Sequence, residues 1–376
     1  MKNKWNKRQG WLAGLSLCLS MVACTKSDQI IIDVAQEGAE VPSSLYGVFF
    51  EEITHSGDGG LYAEMVVNRG FEDGNLPSGT TYKDGYAVAK SLPCYSNDSI
   101  NNFKVKWQDD KAMNGWQVVC AAGQPVYKIV DNQPLHPATP HALQLELGKS
   151  AGDIQVINNG YWNMALTEGS SYKLAFHLKA DAASNEEVTV SLIDENEQPA
   201  ASQSFKITKD NQWHKYEGAL VSASTGNKYR LALTFKNKGN VYLDYVSLFP
   251  EETFMNRPNG MRKDVAETLA DLHPAFIRWP GGCIVEGLTM ENRIKWKETI
   301  GDPVTRPGEY NLWGYRSTYG FGYHEFLQFC EDVHADGMFV CNAGMSCLFR
   351  NGDFYDDNQV DGLIQEALDA IEYAIG

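Results

Sequence analysis

Three stretches put polar side chains where apolar runs end, and chemistry could be done from those positions. The first is Glu51-Glu52-Ile53-Thr54-His55-Ser56-Gly57-Asp58-Gly59-Gly60, directly after the apolar run Leu45 to Phe50. A carboxylate leaving a buried strand must be paired, cap the next element or face a polar ligand, because burying an isolated charge is costly. The second is Phe276-Ile277-Arg278-Trp279-Pro280-Gly281-Gly282-Cys283. A guanidinium inside an apolar strand can send several planar hydrogen bonds into a cavity, and paired glycines let backbone approach a ligand closely. A structural ion pair, with Glu51 among the candidate partners, would satisfy Arg278 equally well. The third is Cys341-Asn342-Ala343-Gly344, where Asn342 could bind a hydroxyl or, the favoured reading, shape the turn. Between the second and third exits runs a long aromatic loop containing Trp296, Tyr310, Trp313 and Tyr315, which could wall a binding site or pack over a rim. Glu325, after His324, reads equally as a ligand contact or as a partner for a helix N-terminus.

The elements that must position these residues follow two periodicities that meet near residue 250. From Leu143 to Phe249 apolar residues alternate, as in Tyr172, Leu174, Phe176 and Leu178 and again in Leu231, Leu233 and Phe235. That period predicts half-buried antiparallel strands, an all-β sandwich or jelly roll of roughly 150 residues starting near Tyr86. After residue 250, helical faces alternate with short strands. Met261, Val265, Leu269 and Leu272 predict a helix that stops at His273-Pro274, Ala275 to Trp279 a strand, Phe326 to Val333 a second helix, Met338 to Cys341 a second strand, and Val360 to Ile375 a third helix. Alternation of this kind implies a parallel sheet with crossover helices. The run Leu45 to Phe50 reads as a buried parallel strand followed by a helical stretch from Gly60 to Asn68, so the α/β part starts before the sandwich and resumes after it.

The fold class expected is therefore α/β plus all-β: the first strands of a partial (β/α)8 TIM barrel, interrupted by a β-sandwich. Residues 30–84 hold a first sandwich strand and the start of the barrel, 85–250 the inserted carbohydrate-binding-like sandwich, and 251–376 the continuation of the barrel. The α/β residues fall short of the about 250 that a complete barrel takes, so the chain is expected to be part of a longer protein.

Lys2, Lys4, Lys7 and Arg8 precede an apolar stretch from Trp11 to Ala23 that is too short to span a bilayer. It ends on Met21-Val22-Ala23-Cys24, which resembles a bacterial lipobox. Residues 1–23 are expected to be a lipoprotein signal peptide, Cys24 the lipidated residue and 24–29 a tether, giving an exported, membrane-anchored lipoprotein at the periplasm or cell surface; ordinary cleavage near Ala23 is the alternative. The formal net charge of −16 argues against a nucleic-acid partner. Cys94, Cys120, Cys283, Cys330, Cys341 and Cys347 form no CxxC pair or zinc pattern, and no cluster calls for a metal or organic cofactor.

The strings LYGVFFEEITHSGDGGLYAEMVVNRGFE, NGMRKDVAETLADLHPAFIRWPGGCIVEG, RIKWKETIGDPVTRPGEYNLWGYRSTYGFGYHEFLQFCED and FVCNAG closely resemble the family 51 glycoside hydrolases, the α-L-arabinofuranosidases. The resemblance implies exo-cleavage of non-reducing α-L-arabinofuranosyl residues from arabinan or arabinoxylan, with retention of configuration by two glutamates. It places Glu51 on a glutamate that hydrogen-bonds sugar hydroxyls, Arg278 on an arginine beneath the pocket and Cys283 on a pocket position. The acid/base and nucleophilic glutamates would lie beyond Gly376, so this chain alone is expected to be inactive. Asn185-Glu186 and Asn196-Glu197 carry an Asn-Glu dipeptide but fall in polar turns of the insertion. The rival reading is a non-catalytic surface glycan-binding lipoprotein in which Trp107, Trp116, Trp162 and Trp213 supply stacking platforms, unless they are core residues; a third is an endo-acting hydrolase on the same barrel.

Overall fold

The alternating segment folds as its period requires. Tyr172, Leu174, Phe176 and Leu178 point to one side of the strand Ser171–Ala180 and are buried. In a computed structural model, which describes residues 32–89 and 104–376, this strand belongs to a five-stranded antiparallel sheet ordered Trp213–Val221, Ser171–Ala180, Val241–Pro250, Ala142–Leu145, Tyr127–Val130. A second sheet runs Pro199–Lys206, Glu187–Ile193, Gly226–Phe235, Ile154–Asn158, Trp116–Cys120, with Met164–Leu166 added beside Gly226–Phe235. Leu143, Leu174 and Val241 of one sheet and Val156, Val190 and Leu231 of the other share a single buried core, the arrangement of a sandwich. Thr80–Lys83, Tyr86–Ala89 and Lys104–Lys106 form a separate small antiparallel sheet. The signal segment, Cys24 and Cys94 lie outside the described residues.

The chain divides into two compact units, through Ser43 and from Ser44 to Gly376. In the first, residues 32–43, a turn forms around Asp33, whose carboxylate accepts the Ala35 N–H. All the elements discussed below belong to the second unit.

Val48–Phe49, Phe276–Trp279 and Asp336–Phe339 form a three-stranded parallel sheet in that order. Phe49 pairs with Arg278, and Arg278 with Met338. One face of this sheet is packed: Phe50, Ile277 and Trp279 meet Tyr323, Phe326 and Phe329 of the helix Tyr323–Asp332. The other carries the row Phe49, Arg278, Met338, in which Phe49 is 48% and Met338 45% exposed. Three parallel strands with their helices are present among the described residues; a closed barrel is not formed by them.

Helices form at Lys263–Ala270, Tyr323–Asp332 and Asp357–Ile375, close to the expected spans, while the third strand, Asp336–Phe339, begins two residues before the predicted Met338. The expected helix over Gly60–Asn68 does not form. Tyr62 instead bridges to Met261, and the Met65 N–H donates to the Leu248 carbonyl. Gly59 and Gly60 weaken helix initiation, and Val66 and Val67 favour extended backbone. The extended path also buries Glu64 as a partner for Arg69 at 3.3 Å, with the Ser247 hydroxyl and the Leu248 N–H donating to the same carboxylate.

The aromatic loop is held from below. Arg306 donates bidentately to Glu325 at 2.8 and 3.0 Å, both side chains being at most 5% exposed, and also reaches the carbonyls of Gly301, Tyr319 and Gly320. Glu325 additionally accepts the Gly322 N–H, capping its own helix, so of the two readings open for it the structural one holds. Removing one partner strands a buried charge. Arg306→Ala should therefore destabilise the fold by about 3–5 kcal/mol in denaturant titrations, and a cost below about 1 kcal/mol would show the pair to be dispensable.

Candidate functional site

Period-two alternation explains why Glu51 reaches the open face of the parallel sheet. Phe50 turns into the helix-packed core, so its neighbour Glu51 points the other way at the C-terminal end of the strand, where parallel α/β sheets collect their functional groups. Glu51 is only 6% exposed, and its Oε1 accepts the Ile284 N–H at 3.0 Å. A Cβ on Gly281, whose φ is +137°, would lie 2.3 Å from the Glu51 side chain. Both the conformation and the space demand glycine.

Arg278 leaves the adjacent strand on the same face. Its guanidinium lies 4.6 Å from the centre of the Phe49 ring and donates to the Gly281 carbonyl at 3.3 Å. Glu51 and Arg278 thus flank the Gly281-Gly282 step, and Cys283 opens the short helix Cys283–Glu286 that follows. Among the described residues no ion pair joins Arg278 to Glu51, so the structural bridge between them is not what is seen.

Around this centre, Asn342 spends all its amide groups locally. Its Nδ2 donates to Val285 and Met345 carbonyls, and its Oδ1 accepts from Gly344 and Met345. It shapes the turn. The sulfurs of Cys283 and Cys347 and a Glu286 carboxylate oxygen lie within 4.8 Å of one another. Burial pushes the Cys347 thiol up to about 12. Asn185-Glu186 and Asn196-Glu197 sit in turns of the sandwich, the first with Glu186 beside Lys209.

Sequence reasoning missed the role of Glu52. Although adjacent to Glu51, it turns to the other side, where Tyr315 Oη donates to it at 3.0 Å and the Asp58 N–H at 3.2 Å. Asp58 in turn accepts the Thr318 N–H and hydroxyl. Tyr315 Oη also accepts the His55 N–H at 2.7 Å, and the His55 ring stacks on Tyr315 at 3.6 Å. Burial and the neighbouring Asp58 hold the Glu52 carboxyl well above its usual range. Nothing local marks Tyr315 as its partner; they are 263 residues apart. The only sequence signal was Gly57, where a Cβ would meet the Glu52 carboxylate.

Glu51, Arg278 and Cys283 gather at the ends of adjacent parallel strands of an α/β sheet, and comparison with known proteins places that fold in a family. Residues 268–376 match the family model described as the alpha-L-arabinofuranosidase 1 domain. Alpha-L-arabinofuranosidase 1 of Arabidopsis thaliana is 33% identical over 90% of this chain and 45% of its own length. The extracellular exo-alpha-L-arabinofuranosidase of Streptomyces chartreusis is 33% identical over 92% of this chain and 38% of its own. The solved structure of arabinose-bound MgGH51 α-L-arabinofuranosidase superposes with a TM-score of 0.72 at 30% identity, over 89% of this chain and 49% of that one. The chain belongs to the family 51 glycoside hydrolases, the α-L-arabinofuranosidases. It spans about half the length, or less, of the relatives it matches.

Two outcomes follow for variants. Gly281→Ala should lower stability by about 1–3 kcal/mol through the positive φ and the displaced Glu51 side chain; an unchanged unfolding midpoint would contradict the packing. Glu52 keeps its proton in the folded chain above the pH at which the unfolded chain, near 4.5, loses it. Its contribution to stability is thus complete below that value and is lost as pH rises through the folded-state value. Compared with Glu52→Gln, the unsubstituted chain should lose stability as pH rises above the 4.5 of the unfolded carboxyl, by up to about 1.4 kcal/mol per pH unit. Parallel stability profiles for the two would refute the assignment.

Proposed function

We propose that this chain supplies the sugar-recognition part of an α-L-arabinofuranosidase that removes terminal non-reducing arabinofuranosyl residues from arabinan or arabinoxylan side chains. The observation that carries the reading is the pairing of Glu51 and Arg278 on one glycine step at the ends of adjacent parallel strands. In it Glu51, with one oxygen fixed by the Ile284 N–H, offers its other oxygen to sugar hydroxyls. Arg278 supports the floor of the pocket, and Cys283 contributes to its wall. Hydrolysis proceeds with retention, the proton-donating and nucleophilic glutamates standing about 5–5.5 Å apart and coming from sequence beyond residue 376. Coverage of about half of each relative supports that placement. So do the positions of the two Asn-Glu dipeptides beside antiparallel strands of the sandwich, away from the parallel sheet. The remaining barrel strands would cover the exposed row of Phe49, Arg278 and Met338.

Export rests on the leading basic and apolar segment and on the extracellular Streptomyces relative, and anchoring on Cys24 as the lipidated residue. No described helix is long and apolar enough to cross a membrane.

The test is turnover of 4-nitrophenyl α-L-arabinofuranoside. The full-length protein should hydrolyse it and release the product with retained anomeric configuration by NMR, and the 376-residue chain should show none. Turnover by the chain alone would overturn the placement of the glutamates. Glu51→Gln in the full-length protein should lower kcat/KM by roughly 10²-fold, the cost of disturbing a charged hydrogen-bond partner of the substrate. Arabinan binding by a full-length protein without turnover would instead describe the glycan-binding lipoprotein.

A further inference from the structure

Of the sandwich's candidate stacking residues, the structure leaves one open. Trp107 and Trp116 are buried, and Trp213 is half-buried with its indole N–H donating to the Gln133 carbonyl. Trp162 is 62% exposed. It stands in the turn between Ile154–Asn158 and Met164–Leu166, and it is fixed in place although exposed. Its ring meets His55 edge-on at 5.4 Å, and His55 is stacked on Tyr315, the hydroxyl partner of Glu52. The neighbouring Tyr161 lies against Gly59, where a Cβ would come within 2.6 Å of its ring. The sandwich turn is thus seated on the loop that leaves Glu51.

This contact borders a cleft of about 780 Å³ lined by Tyr161, Trp162, His55, Tyr315 and Arg316 among others. Its size suits a bound oligomer rather than an ion. Arg316 brings a buried Nε with no hydrogen-bond partner among the described residues, although its other nitrogens serve the carbonyls of Pro307 and Asn75. Asn114, also in the lining, donates to Asp73. Exposed aromatic faces suit the C–H faces of sugar rings, and scattered polar groups suit hydroxyls. Arg316, Lys111 and Asp73 contribute charges of both signs, and the chain as a whole carries −16, which opposes a polyanion.

We infer that this cleft binds the neutral pentose polymer that carries the scissile side chain, with Trp162 as its stacking platform. The inference rests on the proposed function, since it assigns the leaving polysaccharide to a surface shared by the sandwich and the Glu51 loop. The substrate would be gripped at two places: the terminal sugar at Glu51 and Arg278, the backbone along Trp162.

Affinity electrophoresis of the full-length protein through soluble arabinoxylan, linear arabinan and polygalacturonate tests it. Retardation is expected in at least one neutral polymer and not in polygalacturonate. Trp162→Ala should weaken it roughly tenfold, Trp162→Phe should restore most of it, and Trp213→Ala should leave it in place. Which neutral polymer retards the protein tells the two backbones apart. Absent retardation of the unsubstituted protein, equal retardation by polygalacturonate, or retardation indifferent to Trp162→Ala would overturn the inference. Thermal unfolding of Trp162→Ala should match the unsubstituted protein, since the side chain is mostly exposed, so lost retardation is not read from an unfolded variant. Trp162-dependent retardation without arabinofuranoside turnover would leave the cleft standing and remove the proposed activity; turnover with Trp162-independent retardation would do the reverse.

Discussion

The structure depends on one long-range pairing, that of Val48–Phe49 with Phe276–Trp279. It sets the register in which Phe49 faces Arg278 and carries Glu51 to the Ile284 N–H, 233 residues away in sequence. Two strand residues cannot hold such a register by ladder hydrogen bonds alone, since each contributes little net free energy. What fixes it is burial on the helix side, where Phe50 joins Ile277 and Trp279 against Phe326 and Phe329. A slip of one residue would turn Phe50 to the open face and Glu51 into that core. The penalty for burying an unpaired carboxylate makes the alternative register untenable. Hydrophobic packing therefore aims the polar side chain.

Closing so long a loop costs entropy only if the loop is flexible, and the inserted sandwich removes that condition. Its last strand, Val241–Pro250, runs back against the segment by which the chain enters: Met65 bonds to Leu248 and Val246 to Arg69 through their backbones. Glu64 and Arg69 lock that seam from inside, with the Ser247 hydroxyl donating to Glu64 and Arg69 donating to the Tyr62 hydroxyl. Once the sandwich has folded, its two ends are adjacent, and the strands before and after it meet as if joined by a short connection. The expected helix at Gly60–Asn68 fails for the same reason. In a helix Glu64 would lose Arg69, Ser247 and the Leu248 N–H as partners at this seam, and local propensity yields to that tertiary demand.

Much of this was legible in the sequence, and the reason lies in periodicity. Ser171–Ala180 and Gly226–Phe235 alternate, and the helices near 263, 323 and 357 carry apolar stripes, because one face of each is buried; a pattern with such a cause can be read without neighbours. The Gly281-Gly282 pair likewise announced a close approach. The relation of Glu51 to Glu52 was not legible. Identical neighbours on alternating faces differ only in what lies opposite, and Tyr315, Asp58 and Ile284 arrive there by tertiary folding. Nor could the four sandwich tryptophans be ranked. Trp107, Trp116 and Trp213 turn inward or half inward for packing, and only the placement of the turn at Trp162 on His55 shows that this ring is held outward.

The two adjacent glutamates also divide one strand end between a structural role and the recognition proposed for Glu51. Glu52 accepts from Tyr315 and the Asp58 backbone, and burial beside Asp58 raises its carboxyl well above the usual range, so it braces the loop from inside. Glu51 has one oxygen fixed by a backbone N–H and no cationic partner within ion-pair distance among the described residues. A carboxylate held rigid yet incompletely satisfied is what recognition of a hydroxyl-rich ligand requires, because a fully paired one would have to break a bond to bind. The brace also couples outward: Tyr315 bonds Glu52 and stacks on His55, and His55 meets Trp162. The same network that stiffens the loop beyond Glu51 therefore positions the aromatic wall of the neighbouring cleft, so a substitution at Tyr315 should disturb both places where the proposed substrate is held.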